Sequence, residues 1–198
     1  LADNNSSLQK YLSLSLLKTL PSPPKNDDPI VLNELQFIID SMRDATDEQV
    51  KFAKNVHALD NFYKLWSIFA SNLTQKRYDS EFFEQISQQT DGLINYIKLH
   101  FLRPRPYVLA KFLHMPYKMH ADKRFTTGSY PSGHSCEAYL FADIVGMNHP
   151  EQAPILQKFA DKMANSRIIA GVHFPTDILG GKKLAKQIIL HNLCKYNF

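Results

Sequence analysis

Nothing in this 198-residue sequence approaches the ~18–20 consecutive apolar residues that a bilayer-spanning helix needs. The apolar run at 12–20 is short, is broken by Ser and Lys and follows no basic segment, so no signal peptide is visible. Cysteine is scarce. Cys136 and Cys194 suffice for one bridge or for two buried thiols, and spacing leaves both readings, and the redox compartment, open. Charge of one sign is also lacking: 23 Lys and Arg against 19 Asp and Glu give a formal +4 with no basic block. That excludes a strong case for a nucleic-acid polymer and suits a small anionic substrate equally well. No sustained apolar–polar alternation argues for a strand, and no repeat or linker argues for a second domain.

What is present is aromatic and helical. Thirteen Phe and nine Tyr favour a folded chain, and the length fits one domain spanning 1–198. Residues 1–28, rich in Ser, Asn, Asp and Pro, read as a loosely anchored arm whose apolar patch is 12–17 and whose end is marked by Pro21, Pro23 and Pro24. A helix follows from Pro29 to about Met42. Asp47 is expected to cap one long helix reaching about Leu73, with Phe62, Tyr63, Trp66 and Phe69 on its core face. A third helix runs from Asp79 or Ser80 to about Leu102, where Pro104 and Pro106 stop it. A loop at 115–130 separates it from helices expected at 135–147, 151–170 and 176–193, so the predicted class is all-α, a single helical domain.

Three separated segments carry groups suited to an anion. Gly128-Ser129-Tyr130-Pro131-Ser132-Gly133-His134-Ser135 opens a helix, where backbone N–H groups lack intrahelical partners and the dipole is positive. In this reading Gly128, Pro131 and Gly133 permit a tight approach, Ser132 adds a hydroxyl, and His134 faces the anion as a proton donor or acceptor. Upstream, Lys98 lies in the last turn of the third helix, with Arg103 and Arg105 in the Arg-Pro-Arg-Pro stretch beyond it. Arg105, a planar five-donor fork between prolines, suits a phosphate clamp. Downstream, Arg167 precedes His173 and Asp177, a pair four apart that a helical turn brings together. A carboxylate on one imidazole nitrogen fixes the tautomer and leaves the other nitrogen as nucleophile or ligand. Gly171 ends one helix and Pro175 begins the next, which puts His173 at a junction.

Taken together, Lys98-x6-Arg105-Pro106, Pro131-Ser132-Gly133-His134 and Ser166-Arg167-x5-His173-x3-Asp177 resemble the three-part signature of the type 2 phosphatidic acid phosphatase and vanadium haloperoxidase superfamily. The longer run Gly128 to His134, with small size and no spanning segment, is most similar to the bacterial class A nonspecific acid phosphatases. Ser135 stands where those enzymes commonly have Thr, and Ala170 where many have Cys. The resemblance implies the superfamily's all-α fold, with the site enclosed by the third helix, the helix after His134 and the last two, and the 115–129 loop over its entrance. It implies phosphate binding by Lys98, Arg105, Ser132, the Gly133 N–H and Arg167, with His173 as nucleophile, Asp177 as its partner and His134 as general acid. It implies metal-independent, acid-optimal hydrolysis of phosphate monoesters (nucleotides, sugar phosphates, aryl phosphates) through a phosphohistidine, with no cofactor and inhibition by vanadate. A homo-oligomer is compatible with it. The carboxylate inventory points the same way on metals, since no Asp or Glu belongs to the first two motifs. Periplasmic or secreted placement is expected from the resemblance and from the start at Leu1 rather than Met. Two alternatives stand beside this reading: a vanadate-dependent haloperoxidase, and a non-catalytic anion-binding protein.

Overall fold

The computed structural model describes residues 16–122 and 125–192; Cys194 and the first fifteen residues of the arm lie outside them. Beyond a helical turn at 16–19, the described residues form eight helices and no strand. These are α1 (Pro29–Arg43), α2 (Asp47–His57), α3 (Leu59–Thr74), α4 (Ser80–Phe101), α5 (Pro106–Phe112), α6 (Gly133–Asn148), α7 (Ala153–Ile169) and α8 (Pro175–Leu190). The all-α class is what the periodicity predicts.

Local chemistry sets most of the boundaries. Asp28 caps α1 by accepting from the Ile30 N–H at 3.0 Å, with Pro29 in the first turn. Thr46, rather than Asp47, caps α2. Its hydroxyl accepts from the Gln49 N–H while the Gln49 side chain accepts from the Thr46 N–H, a reciprocal box. The expected long helix from Asp47 to Leu73 is in fact two, broken at Ala58, whose extended backbone (φ −86°, ψ 120°) ends α2 and starts α3. No Gly or Pro marks that break. Leu102, at φ 48°, ends α4. Pro106 then begins the short helix α5, which periodicity missed: a proline read as a stop serves here as a first-turn residue.

Helix α6 is the axis of the molecule. Twelve of its residues, from His134 to Gly146, are buried, so it has no solvent face. It packs against α7 and α8, with α4 also against it, while α3 pairs with α4 and α2 with α7. The aromatic stripe of α3 is core. Trp66 meets Phe141 and Phe159 edge to face, and Phe69 stacks on Phe159 at 3.8 Å between centroids. Phe62 has a second duty, its ring lying 5.1 Å from the His134 ring. Leu16 and Leu20 are buried, and Tyr130 donates to the Pro21 carbonyl at 2.5 Å, which ties the segment before α1 to the loop before α6.

Close helix approach is bought with glycines. An added Cβ at Gly181 would lie 2.6 Å from the Ser132 carbonyl oxygen, and one at Gly180 would lie 2.4 Å from the Tyr130 ring. These two glycines let α8 press against the start of α6. At Gly133, by contrast, a Cβ would meet only Ile94 Cγ2 at 3.7 Å, so protein packing there does not require glycine. Gly128 is tighter, 3.2 Å from the Lys98 carbonyl.

Candidate active site

All eight residues singled out by the three motifs converge on the start of α6. Lys98, in the last turn of α4, is buried and donates to the Gly128 carbonyl at 2.8 Å. Arg105 crosses to the other side of the loop. Its Nε donates to the Thr127 carbonyl at 3.1 Å and its NH1 to the Val172 carbonyl at 3.0 Å, and its guanidinium lies 4.5 Å from the Phe125 ring centre. The loop expected over the entrance therefore lines the site through Phe125, Thr127 and Gly128.

The Ser132 hydroxyl does less for an anion than the motif suggests. Its Oγ accepts from the Ser135 N–H at 3.3 Å and from the Ser135 hydroxyl at 2.8 Å, the work of an N-cap. Gly133 and His134 are the first two residues of α6, where the N–H groups have no intrahelical acceptor. His134 is buried between aromatic edges, Phe62 at 5.1 Å and Phe125 at 6.2 Å between centroids, and its Nε2 has no hydrogen-bond partner among the described residues. Arg167 is fully buried. NH1 donates to the Ala53 carbonyl at 3.3 Å and NH2 to His57 Nδ1 at 2.9 Å, while Nε has no partner among the described residues. Buried polar atoms without partners are costly, and an anion would satisfy Arg167 Nε, and His134 Nε2 when that nitrogen carries a proton.

His173 stands at the α7–α8 junction, as the glycine and proline positions predict, with Gly171 at φ 75° before it. Arg105 NH1 lies 2.9 Å from Nε2, and Asp177 Oδ2 lies 3.3 Å from Nδ1. A guanidinium only donates. Nε2 is therefore the acceptor, and the imidazole proton sits on Nδ1 facing Asp177. Nε2 thus keeps the lone pair a nucleophile needs, covered by Arg105 while no anion is present.

The electrostatics follow from burial and crowding of cations. Burial, then Arg105 and Lys98, hold His173 well below the ordinary imidazole value; burial, then Arg167 and the His173 ring, do the same to His134. Burial, reinforced by Arg105, brings Lys98 down to about 7. It also pulls Arg105 and Arg167 below their ordinary values, though a guanidinium keeps its charge through the physiological range. The Asp177 carboxyl is pushed up by burial and pulled back by Arg103 and the Phe174 N–H.

The PAP2 superfamily model matches residues 86–190, more than half of the chain and the whole span from Lys98 to Asp177. The chain belongs to the PAP2 superfamily. This PAP2 member is 33% identical over 86 residues to the non-specific acid phosphatases of Salmonella typhi and of Salmonella typhimurium strain LT2; the match covers 43% of this chain and 34% of each relative. The chain thus spans about a third of the length of those curated relatives. Its fold is similar to that of the first bacterial vanadium dependant iodoperoxidase (TM-score 0.65, 16% identity, 89% of this chain and 52% of that one). It is also similar to the transmembrane PAP2 type phosphatidylglycerolphosphate phosphatase from Bacillus subtilis (TM-score 0.56, 16% identity, 93% and 90%). No helix among the described residues is long and apolar enough to cross a membrane. Among those residues, no group of three or more His, Cys, Asp or Glu is placed to hold a metal ion.

Several residues of the site carry weak sequence signals. Arg103, in the Arg-Pro-Arg-Pro stretch but outside the three motifs, is buried and pairs with Asp177 at 2.6 Å. Glu34 pairs with Arg103 at 3.2 Å, and its position three after Val31 and four before Ile38, on the core face of α1, is the signal that could have found it. His57 marks itself in no motif.

Proposed function

We propose that this PAP2 member is a phosphate monoesterase of the non-specific acid phosphatase kind, working through His173 without a metal. The observation that carries the reading is the arrangement of His173: proton fixed on Nδ1 by Asp177, lone pair on Nε2 under Arg105, and unpartnered His134 Nε2 and Arg167 Nε buried nearby. A phosphoryl group arriving here gives Arg105 better acceptors than an imidazole nitrogen and uncovers Nε2. Lys98, Arg105, Arg167 and the α6 N–H groups then balance the charge on its equatorial oxygens. His173 Nε2 forms a bond to phosphorus as the ester P–O bond breaks, and protonated His134 gives its proton to the leaving oxygen. Water then attacks the phosphohistidine with His134 as base, and phosphate leaves.

An acid optimum follows from His134. Burial, with the surrounding cations, keeps it neutral near pH 7 in the empty site, so donation needs acid or the negative charge of the substrate itself. The proposal extends to nucleotides, sugar phosphates and aryl phosphates as substrates, and to periplasmic or secreted placement, which cell fractionation tests. The test of function is hydrolysis of a nucleotide and an aryl phosphate by chelator-treated protein across pH ~4–8, with and without vanadate. Chelator-resistant turnover that peaks in acid and is blocked by vanadate is expected. Phosphate binding without turnover would make the protein an anion-binding module. Peroxide-dependent halide oxidation once vanadate is added, with no hydrolysis, would make it a haloperoxidase.

A further inference from the structure

The buried ion pair behind Asp177 is more elaborate than holding one carboxylate requires. Arg103 NH1 donates to Asp177 Oδ1 and to Thr176 Oγ1, both at 2.6 Å, and NH2 donates to Glu34 Oε2 at 3.2 Å. Its guanidinium lies 4.2 Å from the Phe174 ring centre. Glu34 is itself tied to the start of α8, accepting from the Thr176 N–H at 2.7 Å and from the Thr176 hydroxyl at 2.9 Å. Asp177 divides its oxygens: Oδ1 faces Arg103, while Oδ2 accepts from the Phe174 N–H at 2.9 Å and faces His173. None of the four charged or imidazole groups is more than 7% exposed.

We propose that Glu34 and Arg103 are positioning residues for His173: Arg103 aims and ionises Asp177, and Glu34 offsets the charge of Arg103 so that Asp177 can serve the imidazole. The inference rests on His173 being the nucleophile. Its logic is charge balance. When Nε2 bonds to phosphorus, the ring keeps its Nδ1 proton and becomes cationic. Asp177 with Arg103 alone is neutral and would give that cation little; adding Glu34 restores one net negative charge to the cluster. Neither residue is placed among the groups that would hold phosphate.

Other charges also bear on the pair. Asp177 is faced by Lys98 from α4, by Arg105 and by Tyr130, and His173 by Arg105, by Lys98 from α4, by Arg167 from α7 and by His134 from α6. These stay constant in the variants below, so the sign of each change belongs to the relay. Arg103→Gln removes a positive charge, which makes both Asp177 and His173 easier to protonate. Glu34→Gln removes a negative charge and does the reverse.

The experiment is the pH profile of kcat/KM, with kcat and KM separately, for the full chain and for Glu34→Gln, Arg103→Gln, Arg103→Lys and the double variant Glu34→Gln/Arg103→Gln. The acid limb should move up by about 0.5–1 pH unit in Arg103→Gln and down by a similar amount in Glu34→Gln. It should return near the parent position in the double variant, which restores the cluster's net charge of one negative and so replaces Arg103→Gln if that variant folds poorly. In each single glutamine variant kcat should fall about 10- to 100-fold with KM within about threefold, and Arg103→Lys should recover part of the loss. Limb shifts of the same sign, no shift in folded variants, or losses carried by KM would overturn the proposal. ¹⁵N NMR of the histidines separates it from the functional reading: a parent without turnover sinks the phosphatase. The relay still stands or falls on whether His173, the Nδ1–H tautomer in the parent, takes its second proton at higher pH in Arg103→Gln and at lower pH in Glu34→Gln.

Discussion

Replacing Gly181 by Ala sets two known effects against each other at the joint between α8 and the anion cradle. In a helix interior the change alone is stabilising, by about 1 kcal/mol. The structure opposes it. The new Cβ would lie 2.6 Å from the Ser132 carbonyl oxygen and 3.0 Å from both Cys136 N and Ser135 Cβ. Two of those three are backbone atoms, so no flexible side chain can swing away, and relief needs the helices to part by roughly 0.5–1 Å. Overpacking of that kind costs about 1–3 kcal/mol, so the net effect is a loss of about 1 kcal/mol, or about 2–4 °C in Tm for a chain of this size. The functional cost is larger, because Ser132 caps α6 and its N–H donates to the Asp177 carbonyl at 3.0 Å. Parting α8 from α6 therefore separates Asp177 and His173 from His134. A misplacement approaching 1 Å costs up to about 100-fold in rate. Thermal melts and kcat/KM on an aryl phosphate, with Gly133→Ala as the stability comparison, measure both. A Gly181→Ala variant with raised Tm and kcat/KM within twofold of the parent would refute the reasoning, since propensity would then have won and the close approach would carry no function.

Three further outcomes are expected. Lys98 is held at about 7 by burial and Arg105, so phosphate affinity should weaken as pH rises through 7, and calorimetry on Lys98→Met should show that dependence flattened. Glu137, buried in α6 with Ser87 donating to its Oε1, is raised to about 8 from 4.5. Its protonated form favours the folded chain; that contribution is full below about pH 4.5 and is lost as pH rises through 8. Glu137→Gln should therefore gain on the parent as pH rises, on the order of 1–3 kcal/mol at pH 8 by urea denaturation, and a gain independent of pH would contradict the assignment. His134→Ala should lose far more activity, by about 100-fold, on alkyl phosphates than on an activated aryl phosphate, since only a poor leaving group needs the proton; equal losses would remove His134 from the general-acid role.

The motifs were legible because each pairs a chemistry-bearing residue with local punctuation: prolines around Arg105, a capping serine before Gly133 and His134, glycine and proline on either side of His173. Helix positions followed from the same cues, and failed where the cue was ambiguous or tertiary. Pro106, read only as part of the stop that ends one helix, also begins the next. The break at Ala58 has no local signal at all; it places His57, whose Nδ1 accepts from Arg167, a partner more than a hundred residues away in sequence. Gly180 and Gly181 look like propensity defects in α8 until the Tyr130 ring and the Ser132 carbonyl are set beside them. Glu34 was the most readable of the missed residues, a carboxylate on a face otherwise held by Val31, Leu35, Ile38 and Met42. The neutral state of His173 required the three-dimensional sum, because burial and the cations Arg105, Lys98 and Arg167 all act to lower it while a backbone hydrogen bond to Ser129 acts the other way.

The direct test of the nucleophile is to trap it. Purified protein is mixed with an aryl [³²P]phosphate, quenched in alkali within milliseconds and digested for peptide mapping. A base-stable, acid-labile label on the peptide containing His173, absent in His173→Ala and still formed in His134→Ala with the aryl substrate, is the expected result. Turnover in the parent with no label on that peptide, or with label on any other residue, would contradict His173 as the group that takes the phosphoryl.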